Sequence, residues 1–200
     1  MTSERIFPRH LGARLGDTLT VRRSGVYGWS IRRCLGSWAN HDGTICQQST
    51  GRCGVAEALS PRFVFTPWDD YLDEIKDGKT SVAILRPTGI TSEQSADVAI
   101  NAIQMCDDAP KYDWTAITRI WFNIILRTNR IRQHEWEWYC TEAVQNHHAR
   151  VSPELDVWGK KLPTPMTTQK RFLEGKLELI AELGKDKFFE SMLKQQEQNT

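Results

Sequence analysis

Apolar and polar residues change period along the chain, and each change marks an element. Residues 17–21 alternate and are rich in Thr and Val, which predicts a strand entered by the Gly16-Asp17 turn. Residues 41–47 and 54–59 predict a second and a third strand, and 63–66 a short fourth. Residues 80–86 give the clearest strand, with the apolar run Val82-Ala83-Ile84-Leu85. Between them, Val26, Trp29 and Arg33 fall at helical spacing and predict a short helix over 25–35, although Gly28 lies inside it and Ile31 falls off the stripe. Pro67 opens a predicted helix over 68–76, because proline is tolerated in a first helical turn.

Beyond residue 86 the period lengthens. Thr91-Ser92-Glu93-Gln94 is a capping signal, and Ala96, Ala99, Ile100 and Ile103 predict one helical face. A second helix is predicted over 114–126, with Ile117, Ile120, Trp121 and Ile124 as its stripe, and a third over 140–148. Residues 164–175 and 176–183 close the globular part. Residues 188–200 end in Gln195-Gln196-Glu197-Gln198-Asn199 and are expected as a solvated tail or a helix that meets a partner. No internal repeat is visible. Strands come first and helices second, with few alternating units, which favours an α+β fold with a small antiparallel sheet first. The expected organisation is a lead-in over 1–11, one domain over 12–184, and a polar tail over 185–200.

Composition narrows the function classes. The 200 residues carry 26 Lys and Arg against 25 Asp and Glu, a formal charge of +1, which offers no footprint for nucleic acid. No apolar run approaches the roughly 18 residues of a membrane span, and no signal peptide is visible, so cytoplasmic synthesis is expected. Carriage in a particle or release at lysis is compatible with that. Five cysteines, an odd number, argue against a disulfide framework. There is no CxxC pair. His134-Glu135-Trp136-Glu137-Trp138 begins like HExxH, but Trp138 stands where the second ligand is required. Neither a metal nor another cofactor is expected.

A cysteine nucleophile needs a base to take its proton and a third polar group to orient that base, and the three need be adjacent only in space. The candidates are Cys140, His41 and Glu57. Cys140 precedes Thr141-Glu142-Ala143-Val144 and is expected in the first turn of a helix, where unpaired N–H groups and the helix dipole favour negative charge. His41 starts a predicted strand beside Gly43. Glu57 lies in the next strand, and strands run roughly 4.8 Å apart, within reach of an imidazole. Each alone has an ordinary explanation: a buried inert thiol, a structural histidine, an ion-paired carboxylate. Glu57 is the most informative of the three, because burying an unpaired carboxylate costs several kcal/mol.

These residues also resemble a family. Gly16-Asp17-Thr18-Leu19, Asn40-His41-Asp42-Gly43-Thr44-Ile45, Val55-Ala56-Glu57-Ala58 and Tyr139-Cys140-Thr141-Glu142-Ala143-Val144 together are similar to the YiiX/YebB-like cysteine hydrolases, circularly permuted relatives of the NlpC-type papain-like amidases. Tyr112-Asp113-Trp114 resembles a further segment upstream of the cysteine, and Pro165 with Leu173 a closing one. The resemblance spans about residues 12–180, and the order His, acid, Cys is the permuted one. It implies a permuted papain-like fold, with Cys140 as nucleophile, His41 as base and Glu57 orienting His41. It also implies that the Cys140 backbone N–H contributes to an oxyanion hole. Three positions depart from the pattern: Asn40 for Ser, Thr141 for Ser, and Ala143 for a bulkier residue. None removes a catalytic group.

The expected activity is that of a cysteine amidase or endopeptidase without cofactor, and the resemblance suggests peptidoglycan peptides as substrate. Eight tryptophans offer substrate walls. Trp29 and Trp38 flank the His41 segment, and Trp138 and Tyr139 precede Cys140; these four are the candidate substrate contacts. Two alternatives stay open. One is lipid acyl transfer or thioester cleavage on the same permuted fold, as in relatives of lecithin retinol acyltransferase. The other is a non-catalytic papain-like module of a larger assembly, with residues 185–200 docking on a protein partner.

Overall fold

The computed structural model describes residues 11–59, 61–108, 140–159 and 163–197. The strands β1 (Thr18–Arg23), β2 (His41–Gln47), β3 (Cys53–Leu59), β4 (Arg62–Pro67), β5 (Thr80–Pro87) and β6 (Leu177–Leu183) form one antiparallel sheet in the order β4-β3-β2-β1-β5-β6. Helix α1 (Val26–Leu35) joins β1 to β2, and α2 (Trp68–Lys76) joins β4 to β5. Helices α3 (Ser92–Asp108), α4 (Cys140–Val151), α5 (Pro165–Leu173) and α6 (Phe188–Glu197) complete the α+β architecture.

Strand alternation divides the core. Leu19, Val21, Ile45, Val55, Val82 and Ile84 pack with Trp68 and Tyr71 of α2 on one face. The intervening positions Cys46, Ala56 and Ala58 meet Ala99, Ala102 and Met105 of α3 and Ala143 of α4 on the other, and Ala83 and Leu85 meet Val144, Trp158 and Phe188. Period 2 along each strand therefore buries both faces. The Gly16-Asp17 turn is locked by charge: Arg86 donates from Nε to Asp17 Oδ1 and from Nη2 to Asp17 Oδ2, each at 2.8 Å. A buried carboxylate without such partners is costly.

Two helices differ from the sequence expectation. The Val26 and Trp29 stripe of α1 faces outward, 84% and 58% exposed, and Gly28 is the inward residue. A Cβ at Gly28 would lie 2.5 Å from the Arg23 carbonyl oxygen, so the helix approaches β1 through its glycine. On α3 the buried stripe is Ser95, Val98, Ala99, Ala102 and Met105, and Ile100 is exposed. The reason is close approach. A Cβ on Gly16, which has a φ of +89°, would fall 2.1 Å from the Ser95 carbonyl oxygen, so small residues must face the turn. The segment after α5 is a strand, β6, which takes the sheet edge beside β5.

Residues 185–200, expected as a polar tail or partner helix, contain α6. Its Phe188 and Met192 are buried against Trp38 and Leu85, and only its other face, with Phe189 and Leu193, is open. The expected helix over 114–126 lies outside the described residues. Among the described residues, no helix is long and apolar enough to cross a membrane.

Candidate active site

The site forms where β2 and α4 begin. His41 is the first residue of β2 and sits opposite Val21, so its ring projects to the α2 face; Asp42 sits opposite Thr20 and projects to the other. Thr44 is opposite Ala56, and continuing that register puts Glu57 beside Gly43, diagonal to His41. The bare glycine makes the diagonal possible, since a Cβ there would lie 2.5 Å from Val55 Cγ1 and 3.2 Å from Glu57 Cβ. Glu57 Oε2 and His41 Nε2 are 2.6 Å apart, and both residues are buried. With Nε2 committed to Glu57, Nδ1 is the ring nitrogen left for the thiol. Cys140, the first residue of α4, acts on the charge of the His41 ring. The three residues singled out from the sequence are thus brought together at one site.

Burial disfavours a charged imidazole here, but it is outweighed. The charge on Cys140, the hydrogen bond with it, and the hydrogen bond and charge of Glu57 push His41 up to about 10. Burial also works against the Glu57 carboxylate. The His41 bond and charge, the Arg23 charge and the Thr66 hydroxyl prevail and hold it below the usual range. Cation and anion are each buried and stabilised by the other.

Further residues surround this pair. Tyr71 of α2 donates its hydroxyl to Glu57 Oε2 at 2.7 Å. Burial and the Glu57 charge push that phenol well above its ordinary value, so it stays a donor. Arg23 Nη2 lies 4.0 Å from Glu57 Oε1, and its guanidinium stands 5.3 Å from the centre of the Tyr71 ring. On the opposite face, buried Asp42 accepts from the hydroxyls of Thr20, Thr141 at 2.7 Å and Thr168 at 2.9 Å. Thr141 follows Cys140 directly, so this carboxylate pins the first turn of α4 to the strand that carries His41. Asn40, where the family pattern has Ser, accepts from the Arg23 backbone N–H at 2.8 Å and from Arg32 Nη1 at 3.2 Å. It fixes the chain entering β2. No local periodicity marks these residues, because each matters only through a tertiary contact.

The aromatic candidates divide. Trp29 is exposed on α1. Trp38 is a core residue rather than a rim residue: it is 5% exposed and packs edge-on to Phe188 at 5.2 Å between ring centres, because α6 covers it. Trp138 and Tyr139 lie outside the described residues.

No protein-family model and no curated protein matches the chain. Among solved structures, the crystal structure of the metalloprotein yiiX from Escherichia coli O157:H7 is similar over 86% of this chain and 98% of its own, with a TM-score of 0.60 and 16% identity. The chain has a YiiX-like fold. The similarity is one of architecture, and it agrees with the resemblance carried by the short segments around His41, Glu57 and Cys140. The word metalloprotein describes the neighbour. Among the described residues of this chain, no group of three or more His, Cys, Asp or Glu side chains is placed to hold a metal ion.

Proposed function

We propose that the chain is a cysteine hydrolase that cleaves amide bonds through an acyl-enzyme, with peptidoglycan peptides as its substrate class. The observation that carries this reading is the buried His41–Glu57 pair, with 2.6 Å between Nε2 and Oε2, beside Cys140 in the first turn of α4. Cys140 Sγ, its proton taken up by His41, attacks the carbonyl carbon, and the backbone N–H at the start of α4 helps to hold the developing oxyanion. The carbon–nitrogen bond then breaks as His41 gives its proton to the leaving amine, which leaves a thioester on Cys140. Water adds to that thioester while His41 takes its proton. The acid departs, and the sulfur and imidazole return to their starting pair. Glu57 stays ionised and holds the ring through both steps. Tyr139 and Trp138, before the nucleophile, and exposed Trp29 are assigned to the substrate side.

Two measurements test this. Iodoacetamide at neutral pH should modify Cys140 ahead of the other four cysteines, and His41→Ala should slow that reaction at least tenfold, because general-base help is typically worth more than that. Equal labelling of all five thiols would sink the activated nucleophile. Muropeptides and a panel of acyl esters are then incubated with wild type and Cys140→Ala. Muropeptide cleavage lost in the variant is expected. Cleavage of esters alone would transfer the assignment to lipid acyl chemistry, and cleavage of neither to a binding module.

A further inference from the structure

The Glu57 carboxylate is shared. Oε2 accepts from His41 Nε2 at 2.6 Å and from the Tyr71 hydroxyl at 2.7 Å. Arg23 Nη2 faces Oε1 at 4.0 Å, and Arg23 is itself held in place, with Nε 3.3 Å from Glu74 Oε2. Glu74 in turn accepts from the Thr80 hydroxyl at 2.7 Å. A carboxylate of β3 is therefore hydrogen-bonded from α2 and faces the base on β2, while the Arg23 charge on β1 stands near its otherwise unpartnered oxygen Oε1.

We propose that Tyr71 and Arg23 are positioning residues of the hydrolase: they hold the Glu57 carboxylate ionised and aimed at His41, and so help set the pH range over which Cys140 reacts. The inference rests on the reading of Cys140, His41 and Glu57 as nucleophile, base and orienting acid. The physical reason is that a fully buried carboxylate has no bulk water to stabilise it and depends on its donors. Remove a donor and the protonated acid gains. A protonated Glu57 no longer stabilises the imidazolium, and the thiol loses its charged partner.

Charged and titratable neighbours among the described residues have a place in this balance. His41 of β2 and Arg23 of β1 favour the Glu57 anion, as does the Thr66 hydroxyl of β4. Tyr71 of α2 donates to it. Glu74, also on α2, offsets part of the Arg23 charge. Cys106 of α3 feels the Glu57 charge, and Cys140 of α4 and Asp42 act on or through His41.

The test is the pH dependence of Cys140 alkylation by iodoacetamide, followed on the Cys140 peptide by mass spectrometry from pH 4 to 9. Wild type, Tyr71→Phe, Arg23→Met, Arg23→Lys and His41→Ala are compared, with a thermal melt of each. Tyr71→Phe keeps the ring in the core and removes only the hydroxyl. The acid limb of reactivity should move up by about half a pH unit in Tyr71→Phe and about one unit in Arg23→Met, the lower end of what a charge at this distance does to a carboxylate. At a pH on the wild-type limb, the rate then falls roughly three- and tenfold. Arg23→Lys, which keeps the charge, should recover most of the loss. A lowered melting temperature with the limb unmoved in both Tyr71→Phe and Arg23→Met would make the pair merely structural and overturn the proposal, while a fast, His41-dependent Cys140 keeps the parent reading. A wild-type Cys140 that reacts like the other thiols and ignores His41→Ala overturns the parent reading instead. If Tyr71→Phe does not fold, the Met and Lys variants at partly exposed Arg23 decide alone.

Discussion

Gly43 shows how little room the site leaves. Its neighbours Val55 and Glu57 occupy the volume a side chain would need, with Val55 Cγ1 only 2.5 Å from an added Cβ. Nothing in its backbone demands glycine; the demand is steric. Gly43→Ala should cost about 1–3 kcal/mol, the usual price of overpacking a buried position. It should also push Glu57 away from His41. The check is a urea melt together with the rate of Cys140 alkylation at neutral pH, and the rate is expected to fall by more than the unfolded fraction accounts for. An alanine variant with full stability and wild-type reactivity would show that the strands separate freely there. The same position explains a limit of the sequence reading. His41 and Glu57 were legible as partners on neighbouring strands, but the register brings them together diagonally, and only the missing Gly43 side chain lets them meet.

Helix α6 carries the clearest consequence at the scale of elements. Phe188 and Met192 share a cluster with Trp38, Leu85 and Val144, so α6 closes the core over β5, β6 and the segment that enters β2. Met192→Ala should destabilise the whole domain by about 2–5 kcal/mol, as expected for a large-to-small change at a position 1% exposed. Chemical denaturation monitored by tryptophan fluorescence checks this, and a loss below about half a kcal/mol would return α6 to the role of an appendage. The polar run at 195–199 had hidden this, since composition averages over a helix whose two faces differ. Most of the sheet was legible because β1 to β5 alternate or carry unbroken apolar runs. β6 was not, because Leu177-Glu178-Leu179-Ile180-Ala181-Glu182-Leu183 suits an edge strand and a helix face about equally well. The helix faces of α1 and α3 were misread for a common reason. Where backbones approach closely, at Gly28 and at Gly16 beside Ser95, the inward residue is the small one, and a hydrophobic stripe points elsewhere. Asp42, which ties β1, β2, α4 and α5 together, was invisible from the sequence because its three threonine partners are scattered between residues 20 and 168.

At the scale of the whole molecule, titration of buried histidines should set the pH range of stability. His147 and His148 follow Cys140 on the same helix, and both are fully buried. His147 Nδ1 lies 2.9 Å from Thr44 Oγ1 with the Phe63 ring edge-on, and His148 Nδ1 lies 2.9 Å from the Val144 carbonyl oxygen beside Trp158. Burial, with the neighbouring charges of His148 and Arg150, pushes His147 down to about 3. Burial pushes His148 down to about 4 against the opposing pull of the Val144 carbonyl and Asp156. Each is therefore neutral in the fold, while in the unfolded chain it takes a proton below about 6.5. The unfolded state binds more protons, so stability is fully present above pH 6.5 and falls as pH falls toward 4, by up to about 1.4 kcal/mol per pH unit for each histidine. His41 has the opposite sign. Raised to about 10, it contributes stability that is present below 6.5 and lost as pH climbs through 10. A stability maximum between these limits is expected, with an acid side governed by α4. Urea midpoints from pH 5 to 8 in wild type, His147→Asn and His148→Asn provide the measurement. Asparagine can keep a polar atom near the Nδ1 position but does not titrate. Each variant should lose its share of the acid slope, whatever it costs in absolute stability, and a slope unchanged in both would mean that the acid sensitivity arises outside α4.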